Sequence, residues 1–566
     1  MTDGEALQGW FGWASRRPRL ILTLFCLILW APGVFSLPPL DRDESRFAQA
    51  SKQMLETGDL IDIRFGHVPR YKKPVGIYWM QSAATAVAGF GERNAIWTYR
   101  LPSLLGALAA VWLTFWCAGA FLRREVALLA AALLGSTLLL TGEATIATTD
   151  AVLTACILGA QAVLFRVWLA ANGSIAAPSR WVVLAGWVAF GLAVLVKGPV
   201  ILAVTGLTAI GLCLWTRQWR WLSGTRPLIG IAIVLVMVAP WVIAIGMKSH
   251  WQFFQQSLGN DFATKLAGGQ ESHGFPPGYF LIALTPSFWP AVLFLLPGLV
   301  AALRQHRDPA IRFLLVWLAT WVVFELVPTK LPHYVLPLYP VLAILSALWA
   351  AWPQAAASWW DRITFGLAPV QFALGAVVFA AAPVLLPAKY GVGLAWWALV
   401  PSILVAVIAI AALVFYFRRQ MLAAALAVLA APLIAYPLLT AGVGPTLSQL
   451  WVSPRLASQL KTLARPGDPP PALAGYIEPS MLFLTGTETR LTDGGASAAD
   501  AKAGEGGLAV VESREQEAFG ARLVQRELEA VEVGRVDGLN YSNGRQVHLR
   551  IWRVAPQTWS PPPPAE

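Results

Sequence analysis

Apolar runs of about twenty residues recur along most of this chain, separated by short polar stretches. A helix that crosses a bilayer needs about 20 mostly apolar residues. In lipid it must satisfy its backbone hydrogen bonds internally, so these runs constrain the fold more than any other feature. Thirteen qualify: 19–37, 101–121, 126–142, 151–169, 181–197, 199–215, 227–247, 279–302, 312–328, 333–351, 364–386, 393–417 and 420–441. The segment 75–90, VGIYWMQSAATAVAGF, is apolar but short and reads as a helix lying in the membrane interface. Basic residues set the phase. If Arg16–Arg19 is cytoplasmic and the spans alternate, then Arg123, Arg124, Arg180, Arg217–Arg226, Arg304–Arg312, Arg362, Arg418 and Arg419 all fall on the cytoplasmic side, as the positive-inside rule requires.

Composition agrees. Only 13% of the 566 residues are charged and 57% are hydrophobic, against about 25% charged in a soluble chain. The 27 tryptophans suit interfacial belts. Much of the net charge of +11 sits in the short basic loops, which argues for topology and lipid headgroups and against nucleic acid. Cys26, Cys117, Cys156 and Cys213 lie inside apolar runs and read as small buried hydrophobes without disulfide or metal spacing. The first run is long and lacks a clear small-residue cleavage site, so it is expected to be a retained anchor.

The outward connections, 38–100, Glu143 to Asp150, 248–278 and 329–334, collect acids, histidines, lysines and aromatics on one side. The chain divides into a membrane domain, 1–444, and a polar outward domain, 445–566. In the latter GYIEPSMLFLTG, GGLAVVES and RQVHLRIWRV read as short strands of a small α/β domain. SPPPPAE reads as a disordered tail.

Several outward residues could carry chemistry. In LDRDESRFAQASKQML, Asp41 or Asp43 can cap a helix whose apolar face is Phe47, Ala50, Met54 and Leu55. The acids there, with Glu44 and Arg46, are either caps and solvated charges or groups aimed into a cavity. In RYKKP, Arg70, Lys72 and Lys73 are either snorkelling anchors or a phosphate clamp. Adjacent residues face different ways, so one of the two lysines is expected to enter a given site. Glu143 and Asp150 flank a hairpin near membrane depth, where an acid is costly. Lys197 ends a span. In VPTKLPHYVLP, proline breaks on both sides would place Lys330, His333 and Tyr334 at the outward mouth of the bundle. The long segment 248–278 is a candidate lid. No HExxH, CxxC or P-loop pattern occurs.

A first span followed by RDESRFA, then YKKP before an interfacial helix, an acidic hairpin and KLPHY together resemble the GT-C lipid-linked glycosyltransferases. That group includes the protein O-mannosyltransferases and, as the nearer likeness, the bacterial 4-amino-4-deoxy-L-arabinose transferases that modify lipid A. The resemblance covers nearly the whole chain. It implies about 13 spans in a bacterial inner membrane, a cytoplasmic N-terminus and a periplasmic C-terminal domain. It implies Asp43 at the catalytic centre, and Lys73, Tyr334 and a basic residue of 248–278, taken as Lys265, at the phosphate of a polyprenyl-linked donor. Where close aminoarabinose transferases carry an acid before that lysine, this chain carries Lys72, so a carboxylate contact there lacks its residue.

The resemblance further implies an inverting transfer from undecaprenyl phosphate-linked sugar to lipid A, with resistance to polymyxin and cationic peptides as the consequence. The partners implied are the lipid donor, the lipid A acceptor and membrane lipids, for a monomer. No cofactor is required and no metal site is predicted. A second reading is a GT-C transferase of another sugar, such as mannose, to protein or glycan. A transporter is the third, but no internal repeat is visible and the polar residues gather at one face and not at the midplane.

Overall fold

The structure is a computed structural model that describes residues 16–257, 259, 274–353 and 358–556. Its first third runs α1 (Pro18–Ser36), α2 (Asp43–Thr57), a hairpin of β1 (Arg64–Phe65) and β2 (Val68–Pro69), α3 (Gly76–Ala88), α4 (Ile96–Ala118), α5 (Arg124–Ser136), α6 (Leu138–Ala144), α7 (Asp150–Ala171) and α8 (Arg180–Lys197). Among the described residues ten helices are long and apolar enough to cross a membrane, eleven if α5 and α6 count as one span. The chain is a multi-pass membrane protein. α7 is buried along nearly its whole length, and Pro227–Lys248 lies at the periphery.

Three of the expected spans differ from continuous rods. α5 and α6 meet at 66°. The break is at Thr137, in extended backbone, and the Leu138 N–H freed by the bend donates to the Trp289 carbonyl at 2.9 Å. The run 199–215 becomes a shorter apolar helix, Leu202–Thr216, that opens with a π-helical turn, Leu202–Gly206. The run 279–302 splits into Tyr279–Ser287 and Val292–Arg304. Apolar length predicts that a segment sits in lipid, but it does not register where a helix stops and restarts within the bundle.

α3 is the expected short helix. Its buried residues combine Ile77 and Tyr78 with the polar Gln81, Ser82 and Thr85, and its exposed face carries Trp79 and Val87. Gln81 accepts from Ser51 at 2.7 Å and Ser82 donates to the Ser51 carbonyl at 3.0 Å, so α3 is tied to α2. A Cβ on Gly76 would lie 2.8 Å from the Leu195 carbonyl oxygen, so only glycine lets the start of α3 sit against the end of α8.

The C-terminal domain has a five-stranded sheet ordered β4-β3-β5-β7-β6, with β3 (Ala472–Ala474), β4 (Arg490–Thr492), β5 (Gly507–Glu512), β6 (Leu528–Asn540) and β7 (Arg545–Pro556). β3 pairs in parallel with β4 and β5, and β7 pairs antiparallel with β5 and β6. The strand expected in GYIEPSMLFLTG is instead a helix, Pro479–Thr485. Pro479 stands at its first turn, where its missing N–H costs nothing, and Met481, Leu482 and Phe483 are all buried. β6 is a strand that the sequence reading missed, because a bulge between Glu532 and Gly534 interrupts its alternation. The tail SPPPPAE lies outside the described residues. All four cysteines are free and buried.

One buried ion pair ties the first loop to the bundle. Arg100, in the first turns of α4, donates from Nε to Glu44 Oε1 at 2.7 Å and from Nη2 to Oε2 at 2.9 Å. Its remaining protons go to the carbonyls of Val34, Leu37 and Pro38 at 2.7–2.9 Å. Glu44 in turn accepts the N–H groups of Leu40 and Ala147, each at 2.8 Å. Both side chains are essentially inaccessible to solvent. The expectation that Glu44 faces a cavity is therefore corrected: it joins the end of α1, the start of α2, α4 and the α6–α7 hairpin. Removing one partner of such a pair strands a buried charge and costs about 3–5 kcal/mol. Arg100→Met should lower the thermal midpoint of the detergent-solubilised protein sharply, and adding Glu44→Gln should recover part of the loss. An unchanged midpoint for Arg100→Met would contradict this role.

Candidate active site

The groups that could do chemistry converge where α2, the loop after β2, the α6–α7 hairpin, the end of α8 and the segment Pro332–Leu338 meet. α2 begins at Asp43. The expected side-chain cap by Asp41 or Asp43 is absent: Arg42 occupies the cap position at φ +62°, without a side-chain cap hydrogen bond. Asp41 is turned toward the C-terminal domain instead. The Asp43 side chain is 58% exposed and lies 3.6 Å from Arg46, so a ligand can reach it. Withdrawal from solvent would raise its carboxyl, but Arg70, Arg46, His333 and Lys73 outweigh this and hold it below the ordinary aspartate range.

Arg70 is buried, with its guanidinium 5.1 Å above the Phe47 ring. Its Nε is buried and finds no hydrogen-bond acceptor among the described residues.

Beneath Asp43 is a four-residue network. His333 places Nδ1 3.5 Å from Glu143 Oε1 and Nε2 3.9 Å from Asp150 Oδ2. Lys197 donates to Asp150 Oδ1 at 2.5 Å. Thr148 donates to Glu143 Oε2 at 2.7 Å and Thr149 to Asp150 Oδ2 at 2.9 Å. The Lys197 ammonium also stands 5.2 Å over the Tyr334 ring. Asp150 and Lys197 are thus more than a helix cap and a snorkelling anchor: they are partners at the same junction.

Beside this network Lys72, Lys73 and Lys197 line a cavity of about 150 Å³ whose other walls include Val194, Val238, Trp241 and Phe253. The expectation that only one of Lys72 and Lys73 would enter is corrected. The chain between β2 and α3 is irregular, and both line the same cavity. Cations at one end and apolar walls behind suit an amphiphile with an anionic head.

Lys330 does not join the group. It is buried, 5.5 Å from the Phe280 ring, and donates to the carbonyls of Glu325 and Val327 at 2.6 and 2.7 Å. It closes the helix Trp321–Leu326, and a sequence reading cannot separate such a capping lysine from a ligand-binding one. Lys265 and the rest of 260–273, about half of the candidate lid, lie outside the described residues. Arg100 was not anticipated. The available signal was an arginine at the head of an otherwise apolar run, IWTYRLPSLLG, since an ionisable group there needs a partner.

Comparison with known proteins fits this geometry. Residues 72–243 match the dolichyl-phosphate-mannose-protein mannosyltransferase family. Over 333 residues the chain is 32% identical to the undecaprenyl phosphate-alpha-4-amino-4-deoxy-L-arabinose arabinosyl transferase of Pseudomonas aeruginosa strain UCBPP-PA14, covering 56% of this chain and 58% of that one. The same-named protein of Enterobacter sp. strain 638 is 28% identical over 332 residues, covering 58% and 56%. The chain spans a little over half the length of these curated relatives. The crystal structure of ArnT from Cupriavidus metallidurans bound to undecaprenyl phosphate superposes with a TM-score of 0.73 at 20% identity, covering 95% of this chain and 98% of that one.

The depressed carboxyl of Asp43 has a measurable consequence. A group stabilised in its ionised form keeps its charge to below its usual pKa of about 3.9. Infrared difference spectra of wild type against Asp43→Asn should therefore show no Asp43 protonation step between pH 5 and 8. Arg70→Gln should move the step upward. A wild-type step near pH 6 would contradict the electrostatic account.

Proposed function

We propose that this chain, which has the GT-C fold, transfers 4-amino-4-deoxy-L-arabinose from undecaprenyl phosphate to a phosphate of lipid A at the periplasmic face of the bacterial inner membrane. The observation that carries the reading is the lysine-lined mouth of an apolar cavity beside a charged, accessible aspartate. The names of the relatives supply the sugar and the carrier.

Two cavities lie along one face of α8. On α8, Val183, Trp187, Phe190, Val194 and Lys197 are spaced four and three residues apart, which puts them on one helix face. The Lys197 end lines the lysine cavity. Val183, Trp187 and Phe190 line a second cavity of about 340 Å³, closed by Leu202, Gly206 and Leu222. Headgroup and tail thus have binding surfaces in line along one helix.

The chemistry is a displacement at the anomeric carbon. An oxygen of the acceptor phosphate forms the new bond to that carbon, and the bond from the carbon to the donor phosphate oxygen breaks with its electron pair. The departing undecaprenyl phosphate then carries more negative charge than the donor diester. Lys73, Lys72 and Lys197 face that charge, with Tyr334 beside them, and such preorganised cations act most strongly in a water-poor site. Arg70 and Arg46 draw the anionic acceptor to the other side of the sugar. Asp43 takes any proton left on the acceptor phosphate and stabilises positive charge developing on the sugar, as carboxylates do in glycoside cleavage. Attack from the side opposite the leaving phosphate inverts the anomeric centre. This scheme uses no cofactor. The Glu143–His333–Asp150 network holds Lys197 and the Tyr334 segment in register.

The family match favours mannosyl transfer as the second reading. Purified protein in liposomes, given the aminoarabinose or the mannose form of the undecaprenyl donor together with lipid A, separates the two. The account expects release of undecaprenyl phosphate and labelled lipid A from the aminoarabinose donor only. Lys73→Ala should lower kcat about 10²-fold, the scale for loss of one preorganised charge-stabilising contact. Transfer from the mannose donor alone, or full activity of Lys73→Ala, would overturn the assignment.

A further inference from the structure

The C-terminal domain does not hang free of the reaction centre. It grips the residue two before Asp43. The Asp41 N–H donates to the Tyr541 hydroxyl at 2.7 Å. Asp41 Oδ1 accepts from Ser453 at 3.2 Å and from Ser480. The Ser480 and Ser453 hydroxyl oxygens lie 2.7 Å apart, and Ser453 shares a hydrogen bond of 2.6 Å with the Tyr476 hydroxyl. Ser453 lies in the helix Val452–Leu463, Ser480 in the helix Pro479–Thr485 and Tyr541 just beyond β6, so three separate pieces of the domain converge on one aspartate. The grip continues along α2: Gln49 donates to Thr487 at 2.7 Å, Lys52 to the Phe483 carbonyl at 3.2 Å, and Thr487 to Glu56 at 2.7 Å.

The residue between the two aspartates is backbone-strained. Arg42 sits at φ +62°, ψ −113°, outside the favoured regions for an L-residue. Such a conformation persists only where its surroundings over-determine it. Here the surroundings are known on both sides. Glu44 is locked by Arg100, and Asp41 is locked by the C-terminal domain. Asp43 stands between them with its own side chain open.

We propose that Ser453, Ser480 and Tyr541 of the C-terminal domain are positioning residues for the reaction: by holding Asp41 they fix the strained turn that aims Asp43 at the substrate. The domain is then a working part of the active site. The inference deepens the proposed function by naming a further determinant of the same centre, and its catalytic part rests on that reading.

Two measurements on the full-length protein test it. Backbone hydrogen exchange over residues 38–46 should rise in Tyr541→Phe and in Ser480→Ala, with exchange in α7 unchanged. That measurement does not need the substrate assignment. In the liposome assay the same variants should lose about five- to tenfold in kcat, the size of one lost hydrogen bond, with the donor KM within twofold of wild type. Domain instability alone would lower the amount of folded protein without changing kcat per folded molecule. Unchanged exchange over 38–46, or increased exchange with unchanged kcat, would overturn the proposal. Increased exchange in the variants, together with a wild type that transfers no aminoarabinose, upholds the grip and removes the substrate reading instead.

Discussion

The geometry of the site depends on the buried Glu44–Arg100 pair. Two opposite charges inside a bundle cost desolvation that their attraction repays only if every remaining donor and acceptor is satisfied. Here the guanidinium spends its protons on the carboxylate and on three carbonyls at the end of α1. The carboxylate accepts amides from the loop before α2 and from the α6–α7 hairpin. The turn between α1 and α2, the start of α4 and the α6–α7 hairpin are fixed by one interaction, and those same segments carry Asp43, Glu143 and Asp150. The pair also explains why Glu44 and Asp43, adjacent in sequence, do opposite things. One is consumed by structure, and the other is left accessible with cations around it.

Charge balance shapes the rest. The proposed reaction, which receives an anionic acceptor and releases an anionic lipid, disfavours a site that is acidic overall. Asp43 lies beside Arg46 and Asp150 beside Lys197, while Glu143 accepts from Thr148 and shares His333 with Asp150. Lys72 and Lys73 then add positive charge where a lipid phosphate would lie. Proline and glycine breaks near the ends of the helices supply the irregular backbone that brings these groups together, which a membrane fold tolerates only where protein or a cavity surrounds it.

Much of this was legible in the sequence because lipid imposes a simple code. Apolar length marked the spans. Motifs such as RDESRFA and YKKP pointed to Asp43 and Lys73. What was not legible depends on three-dimensional pairing. Lys330 and Lys197 look alike as lysines at helix ends, yet one satisfies carbonyls and the other faces Asp150. Arg100 could be recognised as costly, but its partner 56 residues away could not be named. PSMLFLT has strand-like composition, and its helix is decided by Pro479 and by burial against α2. The contact of the C-terminal domain with Asp41 spans more than 400 residues, beyond any local pattern.

The account stands or falls on whether this chain moves a pentosamine onto lipid A with Asp43 as the essential carboxylate. The direct measurement is the mass spectrum of lipid A from a polymyxin-sensitive host lacking its own transferase, expressing either this chain or Asp43→Asn at equal levels in the membrane. The account predicts a pentosamine increment with the unaltered chain and none with the variant. No increment from a well-expressed unaltered chain, or an equal increment from the variant, would contradict it.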